Sequence, residues 1–131
     1  MKKIFLLTKI VFHIANITLI VLYIFPGSIL GWIIYENLHK QPQITSNLSF
    51  ISYNHFYAFF ILSLLGLFGF HIKNVKNLFK YMFLISIILE LTHVIIPQRN
   101  FEYKDLLGNI LGVLVVYLIF NCYLFLNRNY D

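Results

Sequence analysis

Long apolar runs, separated by short polar stretches, dominate this chain. They lie at about residues 4–25, 55–72, 78–96 and 105–126. Each run is close to the roughly 20 residues that a helix needs to cross a lipid bilayer. Pro26 follows the first run and Pro97 follows the third, where a proline is expected to end a helix. The pattern predicts an all-α membrane protein with four transmembrane helices in one bundle.

The composition supports this fold class. Of the 131 residues, 60% are hydrophobic and only 11% are charged, whereas a soluble domain carries about 25% charged residues. We expect a single domain over residues 1–131. The net charge of +5 does not indicate a nucleic-acid partner, because the basic residues lie between the apolar runs and form no stripe. The single cysteine, Cys122, excludes an intrachain disulfide and a cysteine-based metal cluster.

The distribution of basic residues predicts the orientation of the bundle. Cytoplasmic loops of membrane proteins carry an excess of lysine and arginine. The basic residues of the N-terminus, of the connection between the second and third helices and of the C-terminus include Lys2, Lys3, Lys73, Lys76, Lys80 and Arg128. On the opposite side, Lys40, Arg99 and Lys104 are offset by Glu36 and Glu102. We therefore expect both termini to be cytoplasmic.

Polar residues within or beside the apolar runs mark a candidate site. A charged group inside a bilayer is costly and needs a structural or functional reason. With the predicted orientation, three helices and one loop place polar groups at a similar depth near the outer face: His55, Glu90, His93, Arg99, Asp105 and Asn109. Glu90 and His93 share a helix face, as do Asp105, Asn109 and Gly112. The sequence thus predicts an outward-facing polar site inside the membrane.

These residues also have structural explanations. Asp105 can cap the start of a helix, Asn109 can serve helix packing, and Arg99 can extend to lipid headgroups. A Glu90–Arg99 ion pair can fix the bundle. A metal ion among His55, Glu90, His93 and Asp105 is a further option, but these residues have no recognised ligand spacing. No metal and no other cofactor is expected.

The spacing of the same residues is similar to that of a known family. The pattern Glu90-x2-His93 followed by Pro97-x-Arg99-x5-Asp105-x3-Asn109-x2-Gly112, with His55-Phe56 opening an earlier helix, resembles the VanZ-like family of small bacterial membrane proteins. The resemblance covers roughly Tyr53 to Phe120. It implies a multi-pass protein of the bacterial cytoplasmic membrane with a role at the cell envelope, because the family's founding member is associated with resistance to the glycopeptide teicoplanin.

Two positions depart from the family's pattern. The family often has Asp-Lys four and three residues before the histidine, where this chain has Ile51 and Ser52. It often has glutamine where this chain has His93. The first departure removes two charges from the outer end of the site, so the complete activity of the family does not follow from the resemblance.

We predict that the site binds, or acts on, a membrane lipid or a lipid-linked envelope precursor. The candidate catalytic residues are Glu90, His55, His93 and Asp105, and the candidate substrate-binding residues are Arg99 and Asn109. In an enzyme, Glu90 would act as general acid or base and Arg99 would hold an anionic group. The alternative is a non-catalytic accessory module that binds a larger envelope protein, with a purely structural polar cluster. Homo-oligomerisation is compatible with both, and a proton-coupled carrier would need it, because four helices without an internal repeat make a poor carrier.

Overall fold

The computed structural model describes residues 2–45 and 50–128, and every regular element in these ranges is a helix. The helices are α1 (Lys2–Ile24), α2 (Ile29–Tyr35), α3 (Tyr53–Gly69), α4 (Ile72–Thr92) and α5 (Tyr103–Arg128). The prediction of an all-α protein is confirmed. Helices α1, α3 and α5 lie close to the first, second and fourth apolar runs.

Helix α2 was not predicted from the sequence. Gly27 turns the chain with φ +85°, a conformation that side chains with a Cβ rarely adopt. Ser28 then caps a new helix, because its Oγ accepts a hydrogen bond from the Gly31 N–H at 2.9 Å. The helix ends at Tyr35, and the capping residue Glu36 has a φ of 53°. Seven residues are too few to produce a recognisable helical period.

Helix α4 begins and ends earlier than the predicted third helix. The lysine-rich stretch from Lys73 to Lys80, predicted as a connection, forms the first turns of α4. It is helical because Val75, Leu78 and Phe79 recur at helical spacing and are buried in the bundle. At the other end α4 stops at Thr92 and residues 93–96 form turns before the proline, so His93 caps the helix rather than lying inside it.

Helix α3 occupies the centre of the bundle, where it packs against α1, α4 and α5. Its closest approach is to α5, at two glycines on one face of that helix. A Cβ on Gly112 would lie 2.5 Å from the Phe56 carbonyl oxygen, and a Cβ on Gly108 would lie 2.6 Å from the Ser52 carbonyl oxygen. Only glycine permits this separation of the two backbones.

The outer surface of the bundle is strongly apolar. Lys3–Ile24 and Tyr103–Asn127 are both long and apolar enough to cross a membrane, each with a mean hydropathy of 2.1, and Tyr53–Gly69 is a shorter apolar helix. Only 6% of the α1 span is buried against the rest of the chain. Apolar helices that leave this much surface uncovered are suited to contact with lipid.

Candidate functional site

The polar cluster lies where α3, α4 and α5 meet, next to the end of α1. His55 belongs to the first turns of α3, Glu90 to the last turns of α4, and Asp105 and Asn109 to the first turns of α5. His93 follows α4 directly. Glu90 and Asn109 are completely buried and the two histidines nearly so. Five of the six candidate residues are therefore neighbours, although they come from separate helices.

Asn109 connects three helices at the centre of the cluster. Its Nδ2 donates to the Ser86 carbonyl of α4 at 3.2 Å. Its Oδ1 accepts from the Tyr23 hydroxyl of α1 at 2.7 Å and lies 3.2 Å from His55 Nδ1 on α3. Because a carbonyl oxygen can only accept a hydrogen bond, His55 Nδ1 carries a hydrogen.

Tyr23 is a member of the cluster that the sequence analysis missed. Its hydroxyl contacts Asn109 and lies 2.9 Å from His55 Nδ1, and its ring stacks on the His93 ring with centroids 5.5 Å apart. Tyrosine is common near the ends of membrane helices, so its type alone gave no signal. Its position near the C-terminal end of the first apolar run, at the predicted depth of the other polar residues, was the signal available.

Glu90 and His93 form a hydrogen-bonded pair beside Tyr23. His93 Nε2 donates to the Tyr23 carbonyl oxygen at 3.2 Å. Its Nδ1 lies 3.3 Å from Glu90 Oε1, which also accepts the Glu102 backbone N–H at 3.2 Å. A carboxyl group and an imidazole in contact are groups that enzymes use together for general acid–base chemistry.

His55 brings the second carboxylate, Asp105, into the cluster. His55 Nε2 lies 3.5 Å from Asp105 Oδ2 and its Nδ1 lies 3.7 Å from Glu90 Oε2. The Asp105 side chain is 17% exposed, so this end of the cluster reaches the surface. Glu90 Oε2 is fully buried and accepts no hydrogen bond from residues 2–45 or 50–128. A buried polar atom without a partner is rare and calls for an explanation.

Arg99 has partners that the sequence analysis did not name. Its terminal nitrogen donates to the Leu22 carbonyl at 2.8 Å, and its Nε donates to the Phe25 carbonyl at 3.3 Å. It therefore satisfies the carbonyl groups at the end of α1, where a cation is favoured. Partial burial lowers the pKa of Arg99, an effect opposed by Tyr23 and the nearby carboxyl groups, and the guanidinium stays charged. In the described part of the chain it forms no ion pair with Glu90 or Asp105.

A cavity of about 450 Å³ leads to the polar cluster from between α1, α2 and α3. Its walls are mainly apolar and include Leu19, Leu22, Ile29, Ile34, Ala58 and Ile61. Tyr23, His55, His93 and Arg99 also line it. Residues 41–44 also line the cavity. Asn54 holds this segment in place, because its side chain donates to the Pro42 carbonyl at 2.7 Å and accepts from the Ile44 N–H at 3.0 Å. An apolar cavity with a few convergent polar groups is typical of a ligand site.

The comparison with known proteins identifies the family of this chain. The pattern that defines the VanZ/LLP1 family matches residues 9–126, which extends well beyond the motif residues on α3, α4 and α5. No curated protein and no solved structure matches the chain. Because the match covers nearly the whole sequence and includes every residue of the polar cluster, the chain belongs to the VanZ/LLP1 family.

Proposed function

We propose that this protein binds an envelope lipid, or a lipid-linked glycan, in the outer half of the bacterial cytoplasmic membrane. The observation that carries the proposal is the cavity, because its lining is mainly apolar but includes His55, His93 and Arg99. An amphiphile likewise combines an apolar chain with a polar head, and the two parts match the apolar and polar residues that line the cavity. The volume of about 450 Å³ falls in the range of roughly 300–1,000 Å³ that is common for small-molecule sites.

Arg99 is the group best placed to hold an anionic head. It lines the cavity and carries a permanent positive charge. The guanidinium has several N–H donors in a planar fork, and its two bonds to the end of α1 leave others for a phosphate. The apolar walls would take part of the acyl or polyprenyl chain. Family membership supports a role at the envelope, because the founding member is associated with glycopeptide resistance.

Glu90 and His93 supply the chemistry in a catalytic version of this proposal. Their hydrogen bond lies beside the cavity, since His93 lines it and its Nδ1 lies 3.3 Å from Glu90 Oε1. Glu90 would be the general acid or base and His93 the group that passes its proton to the bound head. Asn109 would act through His55, whose ring it orients. Binding alone requires only the cavity and Arg99.

The orientation of the site is part of the proposal. Helices α1, α3, α4 and α5 would span the membrane, with both termini in the cytoplasm and the cavity facing outward. We expect a membrane-impermeant maleimide, added to intact cells, to label Lys40→Cys but not Lys76→Cys when Cys122 is replaced by serine. Both lysines are exposed, so a difference in labelling would report the side of the membrane and not burial within the protein. Labelling of Lys76→Cys in sealed cells would contradict the outward orientation.

The preference for an anionic head can be tested with two lipids that share acyl chains, phosphatidic acid and diacylglycerol. In detergent micelles we expect the purified protein to bind phosphatidic acid more tightly. Arg99→Gln should reduce this preference by about tenfold or more, since a hydrogen bond to a charged group contributes roughly 1.5–3 kcal/mol. Lys104→Gln is the control, because Lys104 is an exposed cation of the same region whose partner Glu102 is also exposed. Equal affinity of the unmodified protein for both lipids, or an equal loss in the two variants, would contradict the proposal.

A further inference from the structure

We propose that His55, Glu90 and Asp105 form a binding site for a divalent metal ion, with Zn²⁺ as the best chemical match. One nitrogen of His55 and one carboxylate oxygen from each acidic residue lie within 4.8 Å of one another. Two of the three residues are buried and Asp105 is partly exposed. Histidine nitrogen and carboxylate oxygen are common ligands of zinc. The inference goes beyond the proposed lipid binding and does not rest on it.

The unsatisfied oxygen of Glu90 is the second observation that points to a ligand. Glu90 is 0% exposed, and its Oε2 accepts no hydrogen bond from the described ranges of the chain. This oxygen lies 3.7 Å from His55 Nδ1. A buried carboxylate oxygen without a partner costs free energy, and a bound cation would remove that cost.

The hydrogen bonds of His55 prepare its other nitrogen for a metal. Asn109 Oδ1 and the Tyr23 oxygen accept from Nδ1–H, because the Tyr23 hydrogen is donated to Asn109. The neutral ring then has its lone pair on Nε2, which lies 3.5 Å from Asp105 Oδ2. Metal-binding histidines almost always donate their second N–H to an oxygen acceptor in this way.

A proton between His55 and Asp105 is the competing explanation for this contact. A proton there would turn the facing lone pairs into a hydrogen bond and make His55 a cation, but Glu90 Oε2, 3.7 Å from Nδ1, would still accept no hydrogen bond from the described ranges. A metal ion bound by Nε2 and by one oxygen of each carboxylate would satisfy both acidic groups. At bond lengths of about 2.1 Å, a tetrahedral zinc site separates its ligand atoms by roughly 3.4 Å. The ligand atoms, which lie within 4.8 Å of one another, would therefore move closer by up to about 1.4 Å. Three protein ligands would leave one coordination position for water or a ligand head.

Metal titration of the full-length protein tests this site. The affinity tag is removed, the protein is stripped with a chelator in detergent, and Zn²⁺ is titrated in competition with a chromophoric chelator. We expect one ion per chain. His55→Gln, Glu90→Gln and Asp105→Asn should each weaken binding by at least about tenfold, because even the loss of an outer partner of a ligand costs roughly 10- to 100-fold. His39→Gln is the control, since His39 is exposed and outside the cluster.

Three outcomes would overturn the site: no binding, unchanged affinity in all three variants, or a loss caused by His39→Gln. Zinc-edge absorption of the unmodified protein provides a measurement that does not depend on the folding of a variant. It should show one imidazole among nitrogen and oxygen ligands, and two or more imidazoles would contradict the assignment. Because the titration is performed without added lipid, failure of the metal site leaves the lipid proposal standing, and failure of lipid binding leaves the metal site standing.

Discussion

Gly112→Leu is expected to prevent stable packing of α3 against α5, and Gly112→Ala should already destabilise the bundle. A Cβ at this position would lie 2.5 Å from the Phe56 carbonyl oxygen and 2.8 Å from the Phe60 backbone nitrogen. Both are backbone atoms of a helix and cannot rotate away as a side chain can. Overpacking costs about 1–3 kcal/mol when neighbouring side chains adjust, so we expect alanine to cost at least that much and leucine to cost more. Thermal unfolding in detergent, followed by circular dichroism, measures the effect.

Cys122→Leu is the matched control for this prediction. It also enlarges a small residue on α5, but Cys122 is exposed and the added atoms would contact lipid or detergent. We expect the midpoint of thermal unfolding of Cys122→Leu to stay close to that of the unmodified protein. If Gly112→Leu unfolded at the same temperature as Cys122→Leu, the close approach of α3 and α5 would be wrong.

The glycine contact matters for function because it positions the cluster. A Cβ on Gly108 would lie 3.1 Å from His55 Cβ and 2.6 Å from the Ser52 carbonyl oxygen. Helix α3 carries His55, and α5 carries Asp105 and Asn109. The distances between these groups therefore depend on how closely the two helices approach. A variant that separates the helices is therefore expected to weaken the proposed metal site.

Much of the fold followed from the sequence because apolar runs of bilayer length are a strong signal. Three of the four runs became helices with similar bounds. The polar residues inside these runs were also conspicuous, since a charge in an apolar segment is costly. Helical spacing placed Glu90 beside His93, and the structure has that pair at 3.3 Å. The contact between Glu90 and His93 was thus predictable, because the two residues belong to the same segment of the chain.

The contacts between helices could not be read from the sequence. Arg99 was expected near a carboxylate or a ligand anion, but its hydrogen bonds are to the carbonyl groups that end α1. Every residue has a backbone carbonyl, so the amino-acid sequence does not indicate which carbonyl groups of another helix a side chain will bond. The grouping of His55, Glu90 and Asp105 was expected from their shared depth. Which of their atoms face one another was not, because groups contributed by three helices have no fixed spacing. The cavity also depends on α2, which is too short to predict from periodicity.

Filling the cavity is expected to displace the bound lipid almost completely. Ala58 lies on α3 and lines the cavity, so Ala58→Trp would place the largest side chain in the space proposed for the apolar chain. The substitution leaves His55, His93 and Arg99 in place. A loss of lipid would therefore result from lost volume rather than from a damaged polar cluster. Cys122→Trp provides the matched control, because it makes a similar change at an exposed position of α5.

The central claim, that this cavity holds an envelope lipid, is tested most directly by counting the lipids that each form of the protein retains. The three proteins are extracted from membranes with the same mild detergent and examined by native mass spectrometry. The unmodified protein and Cys122→Trp are expected to retain a lipid with an anionic head, and Ala58→Trp is expected to retain almost none. Equal retention by all three proteins, or no lipid bound to the unmodified protein, would contradict the claim.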